Sequence, residues 1–472
     1  MTLYDEVMSR KNEIMKKSIG IDYDCFESGG ISFDYEGMMN NSGYSLSDVA
    51  RIQAETAVGN TPVIELRNFT RLARKLAGPG KGARIFIKDE AANPSGSFKA
   101  RRAALSVYHA KKLGYKGVIS ATSGNYGAAV ASQAAMQGLK CIIVQECFDS
   151  KGRGQPEIVE KARKCEAFGA EVVQLSVGPE LFFVFLQLLE QTGYFNASLY
   201  SPFGISGIET LGAEIADVMR AKYGRGPDVV VCSNAGGGNL TGTARGLIKK
   251  KCRAQIVAAS VNLSGLHMAS DRQFNLKSFT TGHTGFGMPY ATYPDRSDVP
   301  RSAARPLRYM DRYVTVNQGE VFYITQALAE LEGMEKGPAG NTSLAAAFAL
   351  AQEMDENQII IAQETEYTGA GKHIQPQISF ARSNGIDVHF GDPAEEVPGK
   401  SIILPSHPSL IRAVDADLTH MRASLIKNAL KAHKGSVITN EDVEFLAKET
   451  KTDIGFVTEE LGKNGYKTGD RI

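Results

Sequence analysis

From residue 84 to residue 364 the chain repeats one pattern: a short apolar run, a turn and a helix-length segment. The runs are RIFIK (84–88), GVISA (117–121), CIIVQ (141–145), AEVVQL (170–175), DVVVCS (228–233), AQIVAASV (254–261) and QIIIAQE (358–364). Between them lie helix-patterned stretches at 97–112, 124–137, 156–168, 207–223, after Gly238, at 319–332 and at 342–354. Strands this apolar are covered on both faces, and strands joined through helices run parallel. The pattern predicts an α/β fold of open, mostly parallel sheets flanked by helices. No repeat period marks a solenoid, and no segment is of low complexity.

The 472 residues allow two or more domains. Up to about residue 60 a polar, partly helical lead-in carries turns at ESGGISF and NNSGYSL. Residues 264–318 are rich in Gly, Pro, Ser and Arg without clear periodicity, which reads as a long functional loop or lid. Beyond Pro398 the character turns helical. NEDVEFLAKETKTDIGFVTEEL, near the end, has the mixed charge of a packing element rather than a DNA-binding helix-turn-helix. Lys plus Arg number 53 against 52 acidic residues, so neither nucleic acid nor a membrane surface is an expected partner. LFFVFLQLLE (181–190) is too short to span a bilayer and reads as a buried helix face. The charged first residues lack the apolar core of a signal peptide, and none of the 6 cysteines forms a C-x-x-C pair. A cytoplasmic protein with reduced thiols is expected.

Open parallel sheets bind ligands at the carboxyl ends of their strands, so strand-to-helix corners carry the functional information. In KDEAANPSGSFKARR a loop delivers Lys99 to the first turn of a helix. A helix lysine is ordinarily solvated. Here the helix amino terminus, Arg101 and Arg102 all oppose its ammonium form, which is how an amine becomes a nucleophile. These residues alone leave both readings open. In SATSGNYGAAVA (120–131), Gly124 and Gly127 allow a tight turn, and Asn125 projects an amide flanked by Thr122 and Ser123. Helix capping and close packing account for most of that corner, though not for the asparagine.

In CSNAGGGNLTG (232–242), Gly236, Gly237 and Gly238 expose backbone N–H groups at a helix start, an anion cradle suited to a phosphate. These glycines do not spell G-x-G-x-x-G. The next strand ends in Ser260, Val261 and Asn262, with no carboxylate to hold a ribose, and no Walker A pair follows. The phosphate is therefore expected on something other than a nucleotide. The 8 histidines are scattered without H-E-x-x-H and no cysteine cluster has zinc spacing, so no metal is expected. His267 and Cys232 read as structural.

An imine-forming lysine, an amide and a phosphate cradle together describe pyridoxal 5′-phosphate. GNTPVIEL (59–66), NPSGSFKARRA (93–103), SGNYG (123–127), GAEVVQL (169–175) and AGGGNLTG (235–242) occur in the order found in the fold type II pyridoxal-phosphate enzymes. The chain resembles that family, the group of threonine synthase, threonine dehydratase and the tryptophan synthase β chain. The resemblance implies Lys99 as the Schiff-base lysine and Asn125 as partner of the ring hydroxyl. It implies Ala235, Gly236, Gly237, Gly238 and Asn239 as the phosphate loop. ETEYTGAGKH (364–373) is similar to a threonine synthase corner and nominates Thr368 to face the pyridine nitrogen, with Thr365 the alternative. Two sheet domains follow: a larger one of 59–118 and 201–397, and a smaller one of 119–200. An N-terminal extension (1–58) and a C-terminal helical extension (398–472) flank them.

Within the family, the lead-in, the length and the C-terminal extension look most similar to the β subunits of thiolases that cleave a 2-amino-4-oxo acid. That likeness implies an amino-acid substrate, coenzyme A, a small α subunit and a homodimer of this chain within the assembly. Thiol attack on the C4 carbonyl needs a base and an oxyanion stabiliser, for which Cys232, Tyr126 and His283 are candidates. Lys249, Lys250 and Lys251 either bind coenzyme A phosphates or form a solvated helix end. The rival readings are a threonine synthase or amino-acid ammonia-lyase of the same fold, and a silent pyridoxal-phosphate-binding regulatory subunit.

Overall fold

The computed structural model describes every residue except 1, 29, 123, 149–151, 155, 177, 179, 264–278, 280–297, 368–373, 432, 434, 436 and 470–472. In chain order its strands are Val63–Glu65 (β1), Arg84–Asp89 (β2), Gly117–Thr122 (β3), Lys140–Phe148 (β4), Glu171–Ser176 (β5), Phe195–Asn196 (β6), Val229–Ser233 (β7), Gln255–Val261 (β8), Arg312–Val316 (β9), Ile359–Glu364 (β10), Asp387–Gly391 (β11), Ser401–Pro405 (β12), Val414–Asp415 (β13), Val437–Ile438 (β14) and Lys467–Thr468 (β15). Seven form one sheet in the order β1-β2-β10-β7-β8-β9-β13. It is parallel from β2 to β9 and closed at each edge by an antiparallel strand. A second sheet, β5-β4-β3-β6, is parallel throughout. The sequence pattern is thus realised as α/β architecture, with Ile85, Phe86, Ile87, Ile360 and Ile361 fully buried in adjacent strands.

Several elements differ from the sequence reading. RYVTV (β9) lies inside the stretch read as a loop. Its alternation of apolar residues with Arg and Thr does not resemble the all-apolar strands, because only β13 covers its far edge. Most of that stretch, 264–278 and 280–297, lies outside the described residues. Residues beyond 398 begin with β12, paired in parallel with β11, and become helical only at Leu418–Leu430.

The lead-in and the C-terminal segment are packed elements. Helices Leu3–Ser9 and Lys11–Ile19 set Val7, Ile14 and Met15 into one apolar cluster with Leu181, Phe185 and Leu186 of helix Glu180–Thr192. That is why the apolar run at 181–190 is a buried face. Asp442 accepts hydrogen bonds from the backbone N–H groups of Ile31 (2.8 Å) and Ser32 (2.7 Å), tying the two ends of the chain together. Arg305 and Arg308 both reach Glu449, at 2.7 and 2.8 Å. Helices Asn440–Thr450 and Ile454–Lys463 bury Val443, Leu446, Val457 and Leu461 against the main core, as a packing element does.

Candidate active site

The helix Lys99–Lys112 passes from β2 of the large sheet to β3 of the small one, so its first turn lies at the seam between them. The loop before it is clamped. Phe98 N–H donates to Thr365 O (3.0 Å), Tyr367 N–H donates to Gly96 O (2.7 Å), and Lys164 Nζ donates to Ser95 O (2.8 Å). β2 and β10 are neighbours in the sheet, so the lysine loop is pinned to the carboxyl end of the adjacent strand. The result is a cleft of about 1040 Å³, open solvent at its mouth included, lined by Lys99, Asn125, Thr365 and all of Ala235–Asn239.

The asparagine corner resolves the ambiguity left by the sequence. Thr122 Oγ1 accepts from the N–H groups of Gly124 (3.0 Å) and Gly127 (3.1 Å), so the threonine, not Asn125, satisfies the start of helix Asn125–Gln137. Asn125 Oδ1 is left buried without a hydrogen-bond partner among the described residues. A buried amide oxygen left this way is completed by a ligand or by ordered water. Gly124 has φ +155° and ψ −105°, a backbone region that only glycine occupies readily, which permits the turn that aims Asn125 into the cleft.

Across the cleft, Gly237 takes φ +77° and precedes helix Gly238–Lys249, whose first turn has no side-chain cap. Gly236, Gly237, Gly238 and Asn239 all line the cavity. Cβ atoms on Gly236 and Gly238 would collide with the Tyr200 hydroxyl and the Arg102 guanidinium, so a larger residue at either position would displace these side chains. Asn239 is held by a 2.6 Å bond from its amide to Gln363 on β10, with its own Oδ1 unpartnered.

Lys99 has a pKa lowered from its ordinary value to about 7. Burial is the main cause, followed by Arg102 and Lys161, and Glu366 and Glu157 oppose them weakly. The sequence reading credited both arginines, and this needs correcting. Arg101 turns away into a buried cluster, donating to Glu90 (2.6 Å) and Glu214 (2.7 Å). Lys161, which bonds Glu157 on its own helix, takes the second role.

One further correction concerns Cys232, a group considered for thiol attack. Cys232 is fully buried in the main core and lies outside the cavity lining, and burial pushes its thiol far up. Tyr126 does line the cavity, though burial raises its phenol too. His283, His267 and Thr368 lie outside the described residues. Lys249 and Lys250 form ion pairs with Glu209 and Asp217 rather than an open basic patch. The sequence reading passed over Lys161 and Glu366, both of which line the cavity. Lys161 carried no motif signal. Glu366 lay two residues from Glu364 at the end of a strand already placed at the site.

Lysine, free amide and glycine cradle match the aldehyde, ring hydroxyl and phosphate of pyridoxal 5′-phosphate. Residues 54–364 match the model of the pyridoxal-phosphate dependent enzymes, and the chain belongs to that family. It is a pyridoxal-phosphate enzyme of fold type II.

More particularly, it is 75% identical over 454 residues to a protein of Acetoanaerobium sticklandii named 2-amino-4-ketopentanoate thiolase beta subunit, covering 96% of this chain and 97% of that one. A protein of the same name from an unknown prokaryotic organism is 64% identical over 99% of each chain. Among solved structures, a T.th. threonine deaminase shares the fold, with TM-score 0.52 at 23% identity over 69% of this chain and 99% of that one.

Proposed function

We propose that this chain is the cofactor-bearing subunit of a thiolase that cleaves 2-amino-4-oxopentanoate with coenzyme A, giving acetyl-CoA and alanine. The observation that carries the reading is the reach of the 75% identity. It runs over 96% of the chain, well past the family domain at 54–364, and so takes in both extensions.

Lys99, Asn125 and the loop Ala235–Asn239 hold the cofactor in this reading; of the nominated Thr368 and its alternative Thr365, Thr365 lines the cavity, while Thr368 lies outside the described residues. Bound there, pyridoxal phosphate supplies an electron sink for charge developing on the carbons of an amino acid. Lys99, with its pKa near 7, is neutral often enough to take the proton from the substrate's Cα and acidic enough to return it. In the overall reaction the thiol sulfur bonds to C4, the C3–C4 bond breaks with its electron pair left on C3, and the thiol's proton ends on C3. Lys161, paired with Glu157, brings N–H donors to the cavity for the C4 oxygen, which gains negative charge as the thiol adds.

The relatives' designation as beta subunits supports a small α subunit as partner. The test is coexpression with such a subunit and assay of acetyl-CoA formation from 2-amino-4-oxopentanoate. Formation that requires coenzyme A, the substrate and both subunits is expected. Absence of any coenzyme A dependence, with ammonia released from serine or threonine or phosphate from O-phosphohomoserine, replaces the reading with a lyase or a threonine synthase.

A further inference from the structure

Arg101 and Arg102 are consecutive and both buried, yet among the described residues only Arg101 has a counter-ion. Arg101 is gripped by two carboxylates, Glu90 and Glu214. Arg102 is 2% exposed and forms no ion pair among the described residues. Its Nη1 donates to the backbone oxygen of Leu199 at 3.0 Å, and its Nε is buried without a partner. The guanidinium lies 5.4 Å from the Phe98 ring centroid and is packed against Gly238, the first residue of the helix that forms the phosphate cradle. An uncompensated buried guanidinium costs several kcal/mol, roughly what a closely held anion returns. Burial has already lowered the Arg102 pKa to about 10, with the phenols of Tyr200 and Tyr126 opposing the fall.

We propose that Arg102 is the fixed counter-charge of the cofactor phosphate, completing a site that the glycine loop forms only in part. The loop supplies backbone N–H donors and a partial helix-end charge, whereas a phosphate dianion in a buried cleft calls for a full positive charge beside it. Arg102 stands one helical turn beyond Lys99 on the same helix, so it serves both ends of the cofactor. It anchors the phosphate, and before loading its charge adds to the burial that lowers the Lys99 pKa. The inference rests on the cofactor assignment and is independent of which bond the enzyme cleaves.

The test compares equilibrium binding of pyridoxal phosphate and of pyridoxal, which lacks the phosphate, to the apoenzyme. Wild type, Arg102→Met and Arg102→Lys are measured, with thermal melts of each. Arg102→Met is expected to weaken pyridoxal phosphate by about 10- to 100-fold more than it weakens pyridoxal. Arg102→Lys, which keeps the charge and the stem and is the better tolerated in the fold, is expected to fall between. Inorganic phosphate alone should compete with the cofactor for wild type and lose that ability in Arg102→Met. An unchanged affinity ratio in Arg102→Met overturns the proposal, and so does an equal weakening of both ligands, which marks a structural role. Wild-type protein that takes up neither ligand removes the cofactor assignment itself.

Discussion

Lys99 and its two arginines show how much one helical turn decides. Successive helix residues point about 100° apart, so Arg101 faces Glu90 and Glu214 while Arg102 faces the glycine cradle. Lys99 opens onto the cleft with Arg102 and Lys161 both opposing its proton. Lys99→Ala should abolish the visible absorption of the lysine-linked cofactor and lower turnover by at least about 10³-fold. A variant that keeps that absorption removes Lys99 from the role. Capture of the cofactor by the apoenzyme also depends on pH. Only the neutral amine reacts, so the rate should rise as pH increases through about 7 and level off above it. A stopped-flow profile that is flat from pH 6 to 9 contradicts this.

At the scale of elements, the N-terminal helices act as a lid on apolar surface. Val7, Ile14 and Met15 share a cluster with Leu181, Phe185 and Leu186, and Arg10 pairs with Glu190 across the same contact. Each apolar side chain so buried is worth about 1.5–3 kcal/mol, while the half-exposed ion pair adds little. Deletion of residues 2–19 should therefore cost on the order of 5 kcal/mol and expose the face of helix Glu180–Thr192. A lower melting temperature and self-association in light scattering are the expected signs. A deletion variant that melts like the full chain and stays dispersed shows the contact to be dispensable.

The whole molecule is held together by polar contacts between segments far apart in sequence. Asp442 is the clearest. Burial works to raise its pKa, but the N–H donors of Ile31 and Ser32 prevail and hold the carboxyl below its ordinary value. A lowered carboxylate contributes stability that is present above the ordinary carboxylate range and is lost as pH falls through the native value. Asp442→Ala should cost about 2–3 kcal/mol at neutral pH. In denaturant titrations its gap to wild type should narrow in acid, and a gap that stays constant with pH would falsify the account.

Which parts were legible in advance follows from the range of the interactions. The rhythm of apolar runs determined the α/β class, because burial on both faces leaves a mark within each strand. The three corners were visible because a loop lysine, an asparagine after a glycine and a run of three glycines are local, and resemblance joined them into one cofactor. β9 escaped because a strand near the edge needs less apolar sequence. Only the tertiary structure could assign Thr122 rather than Asn125 to the helix cap, bring Lys161 from another helix to the cleft, and separate the fates of Arg101 and Arg102. Those outcomes depend on which faces of different elements meet, and on the cost of burying a charge without a partner. A one-dimensional pattern records the groups that are present; packing decides which of them face one another.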